Sequence, residues 1–162
     1  MNTYNILFIC SGNSARSLLG EILATTLSQG RFIGYSAGSK PDGEVHPLVY
    51  KLANETGYDP SKVRSKSWDD YALPGAPEMD FIITLCDDAA DESCPHWPGH
   101  PETIHWGFAD PTAETKSEDQ LRHAFEQVEI GLTKRIEFLL DLPLESLDRL
   151  AIKQHLIDAH KS

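Results

Sequence analysis

Positive charge, cysteine and long apolar runs are all scarce in this sequence, and each shortage excludes a class of protein. There are 14 lysines and arginines against 25 aspartates and glutamates, a formal net charge of −11. Nucleic-acid binders and proteins drawn to anionic membranes carry basic faces, so neither partner fits. No apolar run approaches the ~20 residues that span a bilayer. The first residues lack the basic-then-apolar order of a secretory signal, so the cytoplasm is the expected location. Only three cysteines occur, Cys10, Cys86 and Cys94, an odd number unsuited to a structural disulfide framework. A free cysteine is ordinarily a small buried apolar residue, so local context must decide what each one does.

What remains is an ordinary globular composition, 40% hydrophobic and 24% charged over 162 residues, enough for one domain with its own core. Asn5–Ile9 reads as a buried strand and Ala15–Leu27 as a helix, with Leu18, Leu19, Ile22, Leu23 and Leu27 at helical spacing. Arg31–Ser36 follows as a strand closed by Ala37-Gly38, then Val45–Thr56 as a helix stopped by Gly57. Ser67–Tyr71 reads as a short helix, Asp80–Leu85 as a third strand and Thr103–Trp106 as a fourth. Glu118–Leu140 is a long helix, separated by Pro143 from a final amphipathic helix, Leu144–Ala159. Strands alternating with helices imply an α/β fold, a parallel sheet covered on both faces. Chemistry then sits at the carboxyl ends of the strands, where Cys10, Cys86 and the segment after Trp106 fall.

The segment Cys10-Ser11-Gly12-Asn13-Ser14-Ala15-Arg16-Ser17 carries the sharpest signal. A cysteine ends a strand, five residues follow, and an arginine opens a helix. Such a loop can turn the N–H groups of residues 11–16 inward as an anion-binding nest, reinforced by the helix N-terminus. Gly12 is the residue expected to supply a positive φ. Arg16 offers a planar fork for two oxygens of a tetrahedral oxyanion. The same field favours a Cys10 thiolate, to which Ser17 can donate. A cysteine and arginine six apart arise by chance, but neither Cys86 nor Cys94 repeats the surrounding strand, turn and helix.

Ile6–Ser17 resembles the active-site loop of the low-molecular-weight tyrosine phosphatases and of the arsenate reductases that share their fold. The resemblance implies a four-stranded parallel sheet flanked by helices on both faces, with Cys10 attacking phosphorus or arsenic. It also implies that Ser11, Gly12, Asn13, Ser14, Ala15 and Arg16 bind the oxyanion, that Asn13 holds the loop's shape and that Ser17 stabilises the thiolate. Asp110-Pro111 matches the family's aspartate that protonates the leaving oxygen, although such a pair is more often only a turn.

Two branches remain open. Phosphatases of this family usually carry aromatics after the Asp-Pro pair, where this chain has Thr112 and Ala113. A reductase needs further thiols, because arsenate reduction takes two electrons. Thr84-Leu-Cys86 through Cys94-Pro95, then His105-Trp-Gly107 and Asp110-Pro111, resemble the arsenate reductases closely. By that resemblance Cys86 resolves the arsenic–sulfur adduct and Cys94 carries the disulfide outward. Arsenate is then the substrate, with phosphate or sulfate as competing anions. The Cys86–Cys94 spacing is one residue longer than in the thioredoxin-coupled type. Three cysteines favour thioredoxin as reductant, with glutaredoxin and a low-molecular-weight thiol as the alternative. The expected organisation is a catalytic unit over residues 1–142, with residues 143–162 as an amphipathic helix packed on it, whose Leu144, Leu147, Leu150 and Ile157 pack on the body or support a dimer.

Weaker signals concern metals and aromatics. Cys94, His96, His100 and His105 cluster, but zinc sites use tight ligand pairs at regular spacings, which this set lacks. No cofactor and no resident metal is expected. In some arsenate reductases of this kind an alkali cation supports the asparagine, and the matching positions are Asn13, Glu21, Ser36, Ser67 and Asp69. Oxygen donors of that sort suit a hard cation. A plain helix-face carboxylate is the competing reading of Glu21. Trp68, Trp97 and Trp106 are expected to pack in the core or rim.

Overall fold

A computed structural model describes residues 3–86, 101–112 and 117–161. Four parallel strands, β1 (Tyr4–Cys10), β2 (Phe32–Gly38), β3 (Phe81–Thr84) and β4 (Glu102–His105), form one sheet in the order β2-β1-β3-β4. The helices are α1 (Arg16–Leu27), α2 (Pro47–Thr56), α3 (Glu118–Leu140) and α4 (Arg149–Lys161). The register pairs Ile9 with Ala37 on one side and with Thr84 on the other, so β1 and β3 end side by side. The chain order reverses at β1, the switch point where α/β sheets open a crevice beyond the strand ends.

Alternation along the strands divides the interior in two. Ile6 and Phe8 of β1, Phe81 and Ile83 of β3 and Ile104 of β4 join the larger core, made with α1, α2, α3 and α4. Leu7, Ile9 and Ile82 face the other side, where Trp68, Met79, Cys10 and Cys86 complete a smaller cluster. A 3₁₀ helix, Trp68–Ala72, covers that side, with Ser67 Oγ accepting from Asp69 N at its start.

The helix ends follow their sequences. His46 Nδ1 accepts from Leu48 N (3.1 Å) and Pro47 opens α2, while Gly57, at φ 78°, closes it. Ser117 and Gln120 form a capping box on α3. The final helix differs from the sequence reading: Leu144–Ser146 is a 3₁₀ turn, and α4 begins only at Arg149. Its packing face is also corrected. Leu150 is 70% exposed, whereas Ile152, Leu156 and Ala159 enter the larger core. A pattern read as continuous from Leu144 puts the wrong leucine inward once a non-helical break resets the phase. Trp106 is fully buried against this helix, its Nε1 donating to Leu156 O at 2.8 Å. Trp68 is buried too, and Trp97 lies outside the described residues.

Candidate active site

The loop after β1 is held open by its own carbonyls. Cys10 O, Ser11 O, Gly12 O and Ser14 O accept from the N–H groups of Ser39, Lys40, Asp42 and His46 at 2.9–3.3 Å. In a trans peptide the carbonyl and the following N–H point in opposite directions. Carbonyls turned out toward residues 39–46 therefore turn the N–H groups of Ser11, Gly12, Asn13 and Ala15 inward. Ala15 precedes α1 without a capping side chain, leaving the helix's first N–H groups to face the same space.

The left-handed residue in this loop is Asn13, at φ 48°, and not Gly12 as expected. Asparagine tolerates that region better than most residues. Gly12 is needed for room, since a Cβ there would stand 2.5 Å from an Asp42 carboxylate oxygen. Gly38 serves the loop similarly from β2, where a Cβ would meet Ser11 O at 2.5 Å.

Asn13 and Ser17 are fully buried and hold Cys10 between them. The Asn13 amide is oriented by both ends, its Oδ1 accepting from Lys66 N (2.8 Å) and its Nδ2 donating to Ser17 Oγ (2.7 Å). Ser17 Oγ lies 3.0 Å from Cys10 Sγ. Against a Cys10 thiolate, which has no proton to give, the Ser17 hydroxyl is the donor of that pair. Burial pushes the Cys10 thiol above its ordinary range. The Ser17 hydroxyl and N–H, the Arg16 charge and the Asn13 N–H pull it back without cancelling the burial. Desolvation, which depends on packing and leaves no local mark in the sequence, outweighs the stabilising field of the loop.

Arg16 leaves the start of α1 toward the loop after β4. Its Nη1 donates to Phe108 O (2.8 Å) and its Nη2 stands 3.8 Å from Asp110 Oδ2. Asp110 Oδ1 accepts from Thr112 N (2.8 Å) and Thr112 Oγ1 (2.7 Å), which leaves Oδ2 on the Arg16 side. Phe108 itself is fixed by its N–H on Leu85 O and by the Arg135 guanidinium, 4.7 Å from its ring centroid. From β3 comes Cys86, a buried free thiol whose Sγ is 3.4 Å from Ser11 Oγ. One rim thus gathers Cys10, the nest, Arg16, Asp110 and Cys86. Cys94 lies outside the described residues, as do His96 and His100 of the cluster considered for zinc; His105 Nδ1 pairs with Thr84 Oγ1 at 2.8 Å.

A nest with a buried thiol, an arginine fork and a carboxylate beside that arginine can hold a tetrahedral oxyanion against a nucleophile. A family model described as low molecular weight phosphotyrosine protein phosphatase matches residues 5–149. The chain belongs to that family. Among curated relatives, the arsenate reductase of Halalkalibacterium halodurans is 36% identical over 137 residues, covering 85% of this chain and 95% of the relative. A solved arsenate reductase from Archaeoglobus fulgidus matches 82% of this chain and 98% of its own at a TM-score of 0.59 and 26% identity. A thioredoxin-dependent arsenate reductase of Corynebacterium glutamicum matches 84% of this chain at a TM-score of 0.53 and 25% identity. This chain spans 63% of that longer protein's length.

The sequence announces Cys10, the nest, Arg16, Cys86 and Asp110, which the fold brings to one rim. It does not announce Lys66 or the Phe108 carbonyl. Lys66 sits in the polar run Arg64-Ser65-Lys66-Ser67, with no mark of burial, and a backbone oxygen has no sequence signature at all.

Proposed function

We propose that this chain is an arsenate reductase, reducing arsenate to arsenite with Cys10 as nucleophile and Cys86 and Cys94 as a disulfide relay. The observation that carries the reading is a second buried thiol, Cys86, against the nest at Ser11; ester hydrolysis has no use for it. The catalytic unit is residues 1–142, with residues 143–162 packed on it.

In the first step the oxyanion sits on the inward N–H groups of residues 11–16, with Arg16 turned onto two of its oxygens. The Cys10 thiolate attacks arsenic, and Asp110 gives a proton to the departing oxygen, which leaves as water. The Ser17 hydroxyl stabilises the thiolate before attack. In the second step the Cys86 thiolate attacks Cys10 Sγ. The electron pair of the sulfur–arsenic bond passes to arsenic, which departs as arsenite and leaves a Cys10–Cys86 disulfide. Cys94 then attacks Cys86, freeing Cys10, and a dithiol reductant, thioredoxin, reduces the Cys86–Cys94 bridge. Among the described residues no helix is long and apolar enough to cross a membrane, and the reaction belongs in the cytoplasm, where reduced thioredoxin is available.

Arsenate turnover with a thioredoxin system, and hydrolysis of p-nitrophenyl phosphate, are to be compared for the wild type and Cys86→Ser. The expected result is loss of arsenate turnover with weak ester hydrolysis retained. Normal arsenate turnover by Cys86→Ser overturns the relay. Hydrolysis of tyrosine phosphate well above arsenate reduction in the wild type would replace this reading with a phosphatase.

A further inference from the structure

Among the oxygen donors considered for an alkali cation, Asn13, Glu21, Ser36, Ser67 and Asp69, the side-chain contact the structure shows is that of Ser36 with Glu21. Asn13 Oδ1 is taken by Lys66 N–H, and Ser67 Oγ by Asp69 N. Glu21 and Ser36 do meet, with Ser36 Oγ donating to Glu21 Oε1 at 2.7 Å, but beside them stands an ammonium. Lys66 Nζ donates to Ser36 Oγ (3.1 Å) and Arg64 O (2.8 Å) and lies 3.6 Å from Glu21 Oε1. Both side chains of the ion pair are only 5% exposed. Tyr58 completes the cluster by donating to Glu21 Oε2 at 2.5 Å.

We propose that Lys66 is a built-in cation, a positioning residue that replaces a bound alkali ion and makes this enzyme independent of potassium. One residue supplies both contacts that matter: its ammonium neutralises Glu21, and its backbone N–H orients the Asn13 amide. Gly38 N donates to Lys66 O at 2.9 Å, tying the same peptide segment to the end of β2. Anchoring the ammonium therefore fixes the peptide that sets Asn13, which aims Ser17 at Cys10. A buried carboxylate with a fixed ammonium partner has no remaining demand for a mobile cation. The inference deepens the proposed function by assigning the support of its nucleophile, but the melting measurement below involves no arsenate and stands or falls separately.

A solvent-open cavity of about 480 Å³, walled in part by Glu21, Tyr58, Lys66 and Tyr71, gives ions access once the lysine side chain is removed. Thermal unfolding is to be measured in potassium, sodium and choline chloride at equal ionic strength for the wild type, Lys66→Ala and Lys66→Met. The wild type is expected to melt within ~1 °C in all three salts. Lys66→Ala should melt lower in choline and recover by about 3–6 °C in potassium, through binding of the ion to the vacated place. Lys66→Met, which fills the space without charge, should melt lower and not recover. In a Cys86→Ser/Cys94→Ser background, the pH profile of Cys10 alkylation by iodoacetamide should move to higher pH in Lys66→Met and return in Lys66→Arg. Glu21→Gln/Lys66→Met, which removes both charges, carries the alkylation measurement if the single variant does not fold. A potassium-specific rise in the wild type, an unresponsive Lys66→Ala, or an unshifted alkylation profile would each overturn the proposal.

Discussion

Asn13 Nδ2 donates to Ser17 Oγ over 2.7 Å, fixing the serine side chain that stands beside the nucleophile. Ser17 Oγ lies 3.0 Å from Cys10 Sγ, and against a Cys10 thiolate the hydroxyl is the donor of that pair. The amide of Asn13 thereby reaches the nucleophile through one intermediary.

Asn13→Ala and Asn13→Gly separate the backbone from the amide. Alanine at φ 48° incurs a left-handed penalty of about 1–2 kcal/mol. Either residue strands the buried Lys66 N–H, worth about 1–3 kcal/mol. Chemical denaturation should therefore find Asn13→Gly more stable than Asn13→Ala. Arsenate turnover should stay low in both, because glycine restores the conformation and not the hydrogen bonds.

Ser17→Ala removes the largest influence opposing burial at Cys10. The alkylation midpoint of Cys10, measured with Cys86 and Cys94 replaced by serine, should move to still higher pH. An unmoved midpoint would mean that the hydroxyl does not serve the thiolate.

Arg16→Lys keeps the charge and loses the fork that now spans Phe108 O and Asp110. A point charge cannot grip two oxygens in a fixed plane. kcat/KM for arsenate should fall about 10²–10³-fold, the usual loss for one oriented oxyanion donor. Protection of Cys10 from alkylation by phosphate should weaken in parallel.

Trp106→Phe tests how α4 is fastened. The indole loses its smaller ring and its donor to Leu156 O, about 1 kcal/mol for the hydrogen bond and a cavity cost besides. Differential scanning calorimetry should record a melting temperature lower by at least about 2–4 °C.

The same helix should loosen in acid. His160 Nδ1 accepts from Arg135 Nε (3.3 Å), and burial, with the charge of Arg135 and then His105, lowers its pKa below the ordinary imidazole range. The unfolded chain consequently binds a proton that the folded chain resists. Stability is full above the unfolded histidine value of about 6.5 and declines as pH falls through it. His160→Gln should flatten that part of the stability profile without changing arsenate turnover at neutral pH.

The sequence by itself determined the element order and the chemistry of the rim. Local periodicity placed α3 at its observed ends, Glu118 and Leu140, and a strand–turn–helix around Cys10 announced an anion nest, because these features depend on neighbours in the chain. Tertiary structure decided what depends on residues far apart. It moved the strained backbone from Gly12 to Asn13 and pushed the Cys10 thiol up through desolvation. It turned Leu150 outward by breaking the last helix. It also brought Lys66 to Ser36, Glu21 and Asn13, which lie 30, 45 and 53 positions away in sequence, to close the network. A lysine in a polar run looks like a solvated surface residue until folding gives it a buried carboxylate to neutralise; only the three-dimensional contact supplies that reason.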